Sequence, residues 1–195
     1  MLLKWDYDLF EMINGLAVDH TMLNVWMRFF AEYAEYFFYL GILVYWFTRK
    51  QENRRMVANA LCSAVLAMGI GSLIGMLFYR NRPFVSHEVH QLIQHAANAS
   101  FPSSHAIGAF VIATSIWLYR CKDGYVWLVL AALIALSRIW TGVHYPIDVT
   151  VGALLGIGSA IAVNKLFTQW TLARRLLAAG LSFFEKIERK LGYKS

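Results

Sequence analysis

Apolar residues run along this chain in long, nearly unbroken blocks, and short charged connectors separate one block from the next. Residues 5–17 place Trp5, Leu9, Met12, Ile13 and Leu16 at helical spacing, with Asp6, Asp8 and Glu11 elsewhere on the wheel. That pattern predicts a short amphipathic helix that lies in a membrane interface and does not cross it. Residues 23–47 are long enough to span about 30 Å of hydrocarbon at about 1.5 Å per residue, although they carry Arg28, Glu32 and Glu35. Arg28 and Glu32 stand four apart and can pair on one face. Such charges either orient helices near the outer end or line an entrance. A second span runs from Met56 to Tyr79, with Gly69, Gly71, Ser72 and Gly75 as a stripe for close helix packing. The polar stretch 84–100 has no apolar period and reads as a loop. A third span follows to Tyr119, then a tight connector at 120–124. A fourth span covers 125–139 and is short unless it reaches Val143, and a fifth covers 147–167. The remainder, 171–195, reads as a basic amphipathic helix on an anionic inner leaflet.

The expected fold class is therefore all-α: a polytopic membrane bundle of about five transmembrane helices. A single domain covers 1–195, divided into an interfacial helix (1–20), a transmembrane core (21–168) and a cytoplasmic basic tail (169–195).

Composition agrees, since a chain of 195 residues that is 58% hydrophobic and 15% aromatic is too apolar for an ordinary soluble domain. The net charge of +6 would suit nucleic acid, but its carriers sit in connectors between apolar runs and are not interleaved with polar sequence. They set topology instead. Lys and Arg gather in 48–55, in 120–124 and after Lys165, which makes those regions cytoplasmic. Cys62 and Cys121 have no CxxC spacing and read as reduced, small buried packing residues. The first ten residues carry Lys4, Asp6 and Asp8 and are not expected to be a removable signal peptide.

This topology puts two polar stretches, distant in sequence, at one outer face. The first holds Arg80, Arg82-Pro83 and, after the loop, Pro102-Ser103-Ser104-His105; the second runs from Ser137 to Asp148. Charge beside hydrocarbon costs about 2.5–3.5 kcal/mol per residue unless it faces a partner or a wet cavity, so such a cluster reads as functional. Gly142 and Pro146 break the chain between Arg138 and Asp148, and Pro146 suits the first turn of a new helix. His144 then lies just before that helix and Asp148 in its first turn, close enough for the carboxylate to fix the imidazole. The forks of Arg82 and Arg138 suit phosphate, as do the backbone N–H groups of a helix starting at Ser103 and Ser104. Two histidines complete a displacement at phosphorus: His144 as nucleophile through a phosphohistidine, His105 as general acid, and no metal or other cofactor.

These residues resemble the type 2 phosphatidic acid phosphatase superfamily of integral membrane lipid phosphatases. Its pattern is Lys, six residues, Arg-Pro; then Pro-Ser-Gly-His; then Ser-Arg, five residues, His, three residues, Asp. Ser137, Arg138, His144 and Asp148 match the last block fully. The middle block has Ser104 in place of Gly, and the first keeps Arg82-Pro83 but has Gly75 in place of Lys. The resemblance covers roughly residues 20–168. It implies His144 as nucleophile with Asp148 as its partner, and His105 as acid and then base for water. Arg82, Ser103 and Arg138 would be phosphate ligands. Arg80 is the candidate to stand in for the missing Lys, provided the helix ends before it, with Ser104 adding a hydroxyl donor. The small size and short loops look like bacterial undecaprenyl pyrophosphate phosphatases of the bacitracin-resistance type, which implies an extracytoplasmic site that recycles the cell-wall carrier lipid. Phosphatidylglycerophosphate, phosphatidic acid and diacylglycerol pyrophosphate are alternative substrates. Rivals from other classes are a metal-dependent hydrolase built on His87, His90 and His95, a lipid or phosphate transporter, and a scaffold. The partners expected are a polyprenyl pyrophosphate or other lipid phosphate and membrane lipids.

Overall fold

The computed structural model describes residues 2–191, most of them helical. Before the bundle come α1 (Leu2–Asp19) and α2 (Thr21–Glu32); α3 (Ala34–Phe47) and α4 (Gln51–Leu77) lead to the short α5 (Pro83–Ser86) and an irregular loop. Then follow α6 (Ser104–Tyr119), α7 (Cys121–Trp140), α8 (Pro146–Gln169) and α9 (Thr171–Lys190). The centre is α6, which packs on α4, α7 and α8, and α4 also packs on α8. Ala106, Ala109, Val111, Ala113 and Ile116 of α6 are buried, so this helix is apolar on nearly all sides, as a bundle's central member must be.

By length and composition α4, α7 and α8 can each cross a membrane alone. The other two expected spans are shorter pieces. Pro102 and Ser103 start α6 late, leaving it 16 residues. The apolar run 23–47 is interrupted at Tyr33, where φ is −120° and ψ −21°, into α2 and α3. No Gly or Pro causes this interruption. Instead the Ala31 carbonyl, near the end of α2, accepts a 2.8 Å hydrogen bond from Arg138 Nη1 of α7, a cation at a helix's negative end. The pairing expected of Arg28 and Glu32 is absent from the described ion pairs.

Other connectors differ from expectation in extent. Helix α4 begins at Gln51, so Arg54 and Arg55 are helical, and α7 begins at Cys121, leaving only Arg120 between α6 and α7. Of the small-residue stripe, Gly71 meets α6 through Ile107, while nothing approaches Gly69. Helix α9 docks on the start of α4: buried Arg54 lies 2.6 Å from Glu188 and 3.6 Å from Glu185, and over the Trp46 ring. The end of the tail, including Lys194, lies outside the described residues. Arg54, Arg55 and Arg120 thus collect at the end of the bundle where α4 starts, and the polar cluster collects at the end where α4 stops.

Candidate active site

The corner between α7 and α8 is built locally. The Arg138 carbonyl accepts from the N–H groups of Val143 and His144, each at 3.2 Å, folding the chain back at the end of α7. Gly142 makes this possible with φ of +80°, and a Cβ there would meet the His90 carbonyl at 2.9 Å. Pro146 opens α8, and Asp148 in its first turn reaches back to accept the Tyr145 N–H at 2.9 Å. The α6 start is joined to the same turn, because the Ser103 N–H donates to the Asp148 carbonyl at 3.0 Å. Ser103 itself is the N-cap of α6, its hydroxyl oxygen facing the Ala106 N–H at 3.5 Å.

His144 is 1% exposed. Its Nδ1 lies 3.5 Å from Asp148 Oδ2 and 3.4 Å from Ser100 Oγ, and Ser100 also donates a short hydrogen bond to the same carboxylate oxygen. Its Nε2 lies 3.0 Å from Arg82 Nη1. A guanidinium can only donate, so Nε2 must accept and the ring proton must sit on Nδ1, facing Asp148. This tautomer leaves the nucleophilic lone pair on the side away from the carboxylate. Burial, aided by the Arg82 and Arg138 charges and opposed by Asp148, pushes the imidazole down to about 4, so the ring is neutral near pH 7.

Arg82 is buried and crowded with acceptors. Its Nε and Nη2 fork onto Asn98 Oδ1 at 3.0 and 2.8 Å, Nη2 reaches the Ala99 carbonyl and Nη1 the Val143 carbonyl. Arg138 is used less. Beyond its bond to Ala31, its Nε and Nη2 are buried with no hydrogen-bond partner, as is Nδ1 of His105. Arg82, Arg138, His95 and His144 all bear electrostatically on His105. Orphaned donors of this kind are costly unless an acceptor arrives, and a phosphate brings several. His105 Nε2 lies 3.5 Å from Glu35 Oε2, within a cavity of about 130 Å³ that Ser104, Tyr39, Met68 and Gly108 help to line.

The structure thus brings Arg82, Ser103, His105, Arg138, His144 and Asp148 together, with Ser104 beside His105. Helix α4 ends at Leu77, before Arg80, as a stand-in for the lysine requires, and the Arg80 guanidinium is paired with Asp6 and Asp148 and stacks 3.6 Å from the Tyr145 ring centroid. A lysine at position 75 cannot be accommodated freely, since a Cβ there would stand 3.0 Å from the Phe101 carbonyl oxygen. Ser100, Asn98, Glu35 and Asp6 join the cluster without having been singled out for it. Asn98 and Ser100 carried a weak signal, as polar residues four and two positions before Pro102. The loop histidines are dispersed: His87 stacks on Tyr7 at 4.1 Å, while His95 stands 6.2 Å from the His144 ring. Among the described residues no three His, Cys, Asp or Glu side chains form a metal-binding group.

The chain is 44% identical over 186 residues to the bacitracin transport permease protein BcrC of Bacillus licheniformis, covering 94% of this chain and 89% of that one. It is 35% identical over 190 residues to undecaprenyl-diphosphatase BcrC of Bacillus subtilis, covering 97% and 96%. Among solved structures, LpxE of Aquifex aeolicus superposes with a TM-score of 0.68 at 30% identity, covering 82% of this chain and 94% of that one. The profile of the PAP2 superfamily matches residues 56–172, a stretch holding Arg82, His105, Arg138, His144 and Asp148. A multi-pass membrane protein with these relatives and this histidine corner, the chain belongs to the PAP2 superfamily.

Proposed function

We propose that the protein hydrolyses undecaprenyl pyrophosphate to undecaprenyl phosphate and inorganic phosphate, with its site on the extracytoplasmic side of the cell membrane. The observation that carries the chemistry is the buried, unpartnered edge of Arg138, close enough to His105 and His144 to act on both electrostatically. A terminal phosphate held there can be attacked by His144 Nε2. The P–Nε2 bond forms as the bond from phosphorus to the bridging oxygen breaks, and the leaving lipid phosphate takes a proton from His105. Water then attacks the phosphohistidine and gives its proton to His105. The P–N bond breaks, and phosphate and neutral His144 are regenerated. Asp148 stabilises the imidazolium character of the intermediate through Nδ1, as a carboxylate behind a catalytic imidazole does. The cations in this scheme are guanidinium groups, and it routes no step through a metal.

The polyprenyl substrate is supported by the names of relatives, which include the undecaprenyl-diphosphatase of Bacillus subtilis. A long polyprenyl tail can stay in lipid while its head meets the cavity beside His105. The orientation is supported by the basic residues at the opposite end of α4. Success of the carrier-recycling role would give bacitracin resistance.

Transport remains the second reading, because the relative from Bacillus licheniformis bears the name of a transport permease. Against it, the bundle beneath the site is filled by buried Ala67, Ile107 and Val111, where a conduit would need a polar path. One experiment separates them. Purified protein in detergent, with no compartments to transport between, is expected to release phosphate from undecaprenyl pyrophosphate and lose this in His144→Ala. No release from that substrate or from a panel of lipid monophosphates would overturn the enzyme reading.

A further inference from the structure

Asp148 is a fully buried carboxylate whose two oxygens do different work. Oδ2 takes the Ser100 hydroxyl, the Tyr145 N–H and the His144 ring. Oδ1 takes Arg80 Nη1 at 3.2 Å. A carboxylate held on both oxygens cannot rotate away from the imidazole, so Arg80 fixes which oxygen His144 meets. Yet a cation at this distance also opposes what the carboxylate does for the reaction. Asp148 with Arg80 alone would be a neutral pair, a poor support for the positive charge that develops on a phosphorylated imidazole.

Asp6 supplies the missing charge. It comes from α1, far outside the segment that the superfamily profile matches, and its side chain is fully buried against Arg80. Arg80 Nη2 lies 2.6 Å from Asp6 Oδ2, a close ion pair whose alignment is not that of a hydrogen bond. The other oxygen, Oδ1, accepts the Ile147 N–H at 2.8 Å, satisfying an amide in the first turn of α8 that has no partner within its helix. Helix α1 is held in register for this by Phe10, buried against the Tyr145 ring, and by Asn14. The Asn14 amide donates to the carbonyls of Trp140 and His90 and accepts the His90 N–H. Tyr145 is itself the ring on which Arg80 stacks. Two of these contacts, Asp6 to Ile147 and Phe10 to Tyr145, fall on the turn that carries Asp148.

We propose that Asp6 and Arg80 are positioning residues for catalysis: the interfacial helix completes an Asp6–Arg80–Asp148 array that keeps net negative charge behind His144 while locking its carboxylate. The inference rests on His144 being the nucleophile. It assigns the N-terminal helix a part in the chemistry, beyond membrane attachment, and it takes Arg80 away from the substrate.

Steady-state kinetics on the full-length protein tests it, with undecaprenyl pyrophosphate and a lipid monophosphate. Asp6→Asn keeps the shape and an oxygen for Ile147 but removes the charge. Its kcat is expected to fall about tenfold with KM unchanged, on both substrates. Arg80→Ala is expected to lose kcat equally on both substrates. In the double variant Asp6→Asn/Arg80→Ala the surviving Asp148 again carries the net negative charge alone, so its kcat should exceed the product of the two single effects. Arg80→Lys, which restores a cation, should recover part of the Arg80→Ala loss. Unchanged kcat in Asp6→Asn, or multiplicative losses in the double variant, would overturn the proposal. So would a loss confined to the pyrophosphate substrate in Arg80→Ala, which would return Arg80 to phosphate binding. If Asp6→Asn fails to fold, the substrate comparison and the lysine rescue at Arg80 still decide. Failure of the underlying reading looks different: wild-type protein, too, would release no phosphate.

Discussion

Arg82 Nη1 stands 3.0 Å from Nε2 of His144, so in the proposed mechanism the cation that would hold phosphate rests on the nitrogen that would attack it. The contact holds His144 with its proton on Nδ1 and its lone pair on Nε2. A phosphate oxygen that takes over Nη1 uncovers the lone pair in the same movement that brings phosphorus to it. In that mechanism substrate binding and unmasking of the nucleophile are one event.

The first prediction concerns that ring. His144 lies in the corner between α7 and α8, and burial lowers its pKa to about 4 from an ordinary histidine value of about 6.5. The neutral form, which the proposed mechanism uses as nucleophile, therefore persists as pH falls through about 6.5 and is lost only on approach to about 4. Nitrogen NMR of histidine-labelled protein, assigned by comparison with His144→Ala, should show the ring neutral near pH 6 with its proton on Nδ1. Titration with a midpoint near 6.5, or a proton on Nε2, would contradict the arrangement.

The two histidines should fail differently. His144→Ala removes the attacking atom and is expected to reduce phosphate release by about three orders of magnitude or more, without forming phosphoenzyme. His105→Ala should be similarly slow at steady state. With a pyrophosphate lipid, however, the leaving group is a phosphate that needs little help from an acid, so phosphohistidine should accumulate because water lacks its base. Asp148→Asn should be milder than His144→Ala. Rapid quenching with labelled substrate would separate these cases. Absence of phosphoenzyme from the His105 variant, with its turnover still impaired, would mean that His105 serves the first step alone.

Much of this site was legible because its residues are close in sequence or fall on a known spacing. Ser137 to Asp148 is a single corner whose Gly and Pro mark the turns, and charge asymmetry in the connectors aligned it with Arg82 and His105. What was not legible depends on packing between elements. Asp6 looked like one of three acids on an interfacial helix's polar face, and only the docking of α1 distinguishes it from exposed Asp8 and Glu11. The interruption at Tyr33 has no local sequence cause, because the group that takes the Ala31 carbonyl, Arg138, lies more than a hundred residues away. Glu35 read as one charge near an outer end, and its place beside His105 follows from how α3 leans on α6.

Topology gives a prediction independent of chemistry. The basic connector before α4 and the loop after α5 lie at opposite ends of α4. Cys62 and Cys121 are both exposed, on outer faces of α4 and α7 and not buried as expected, and would first be replaced by serine. A single cysteine introduced within 86–98 should then react with a membrane-impermeant thiol reagent in intact cells, and one within 51–53 should react only after permeabilisation. The reverse pattern would place the site in the cytoplasm and refute recycling of carrier lipid on the outer leaflet.

The last prediction concerns position 75, where this chain has Gly and the superfamily pattern described above has lysine. Restoring that lysine would be the obvious way to raise activity if Gly75 were simply a lost cation. The packing argues the other way. A Cβ at Gly75 would stand 3.0 Å from the Phe101 carbonyl oxygen, a backbone atom that cannot swing aside as a side chain can. Phe101 leads directly into Pro102 and Ser103, and the Ser103 N–H holds the Asp148 carbonyl at 3.0 Å. A side chain at 75 therefore pushes on the segment that sets His105 relative to Asp148. Gly75→Lys is expected to lower kcat/KM on lipid phosphates and to destabilise the fold by about 1–3 kcal/mol, the usual range for overpacking. Gly75→Ala should reproduce most of both losses, because the conflict lies at Cβ and not with the charge. Thermal unfolding and kinetics of the two variants side by side would decide: a Gly75→Lys protein that is faster than wild type and unfolds at the same temperature would show that α4 has room for the lysine.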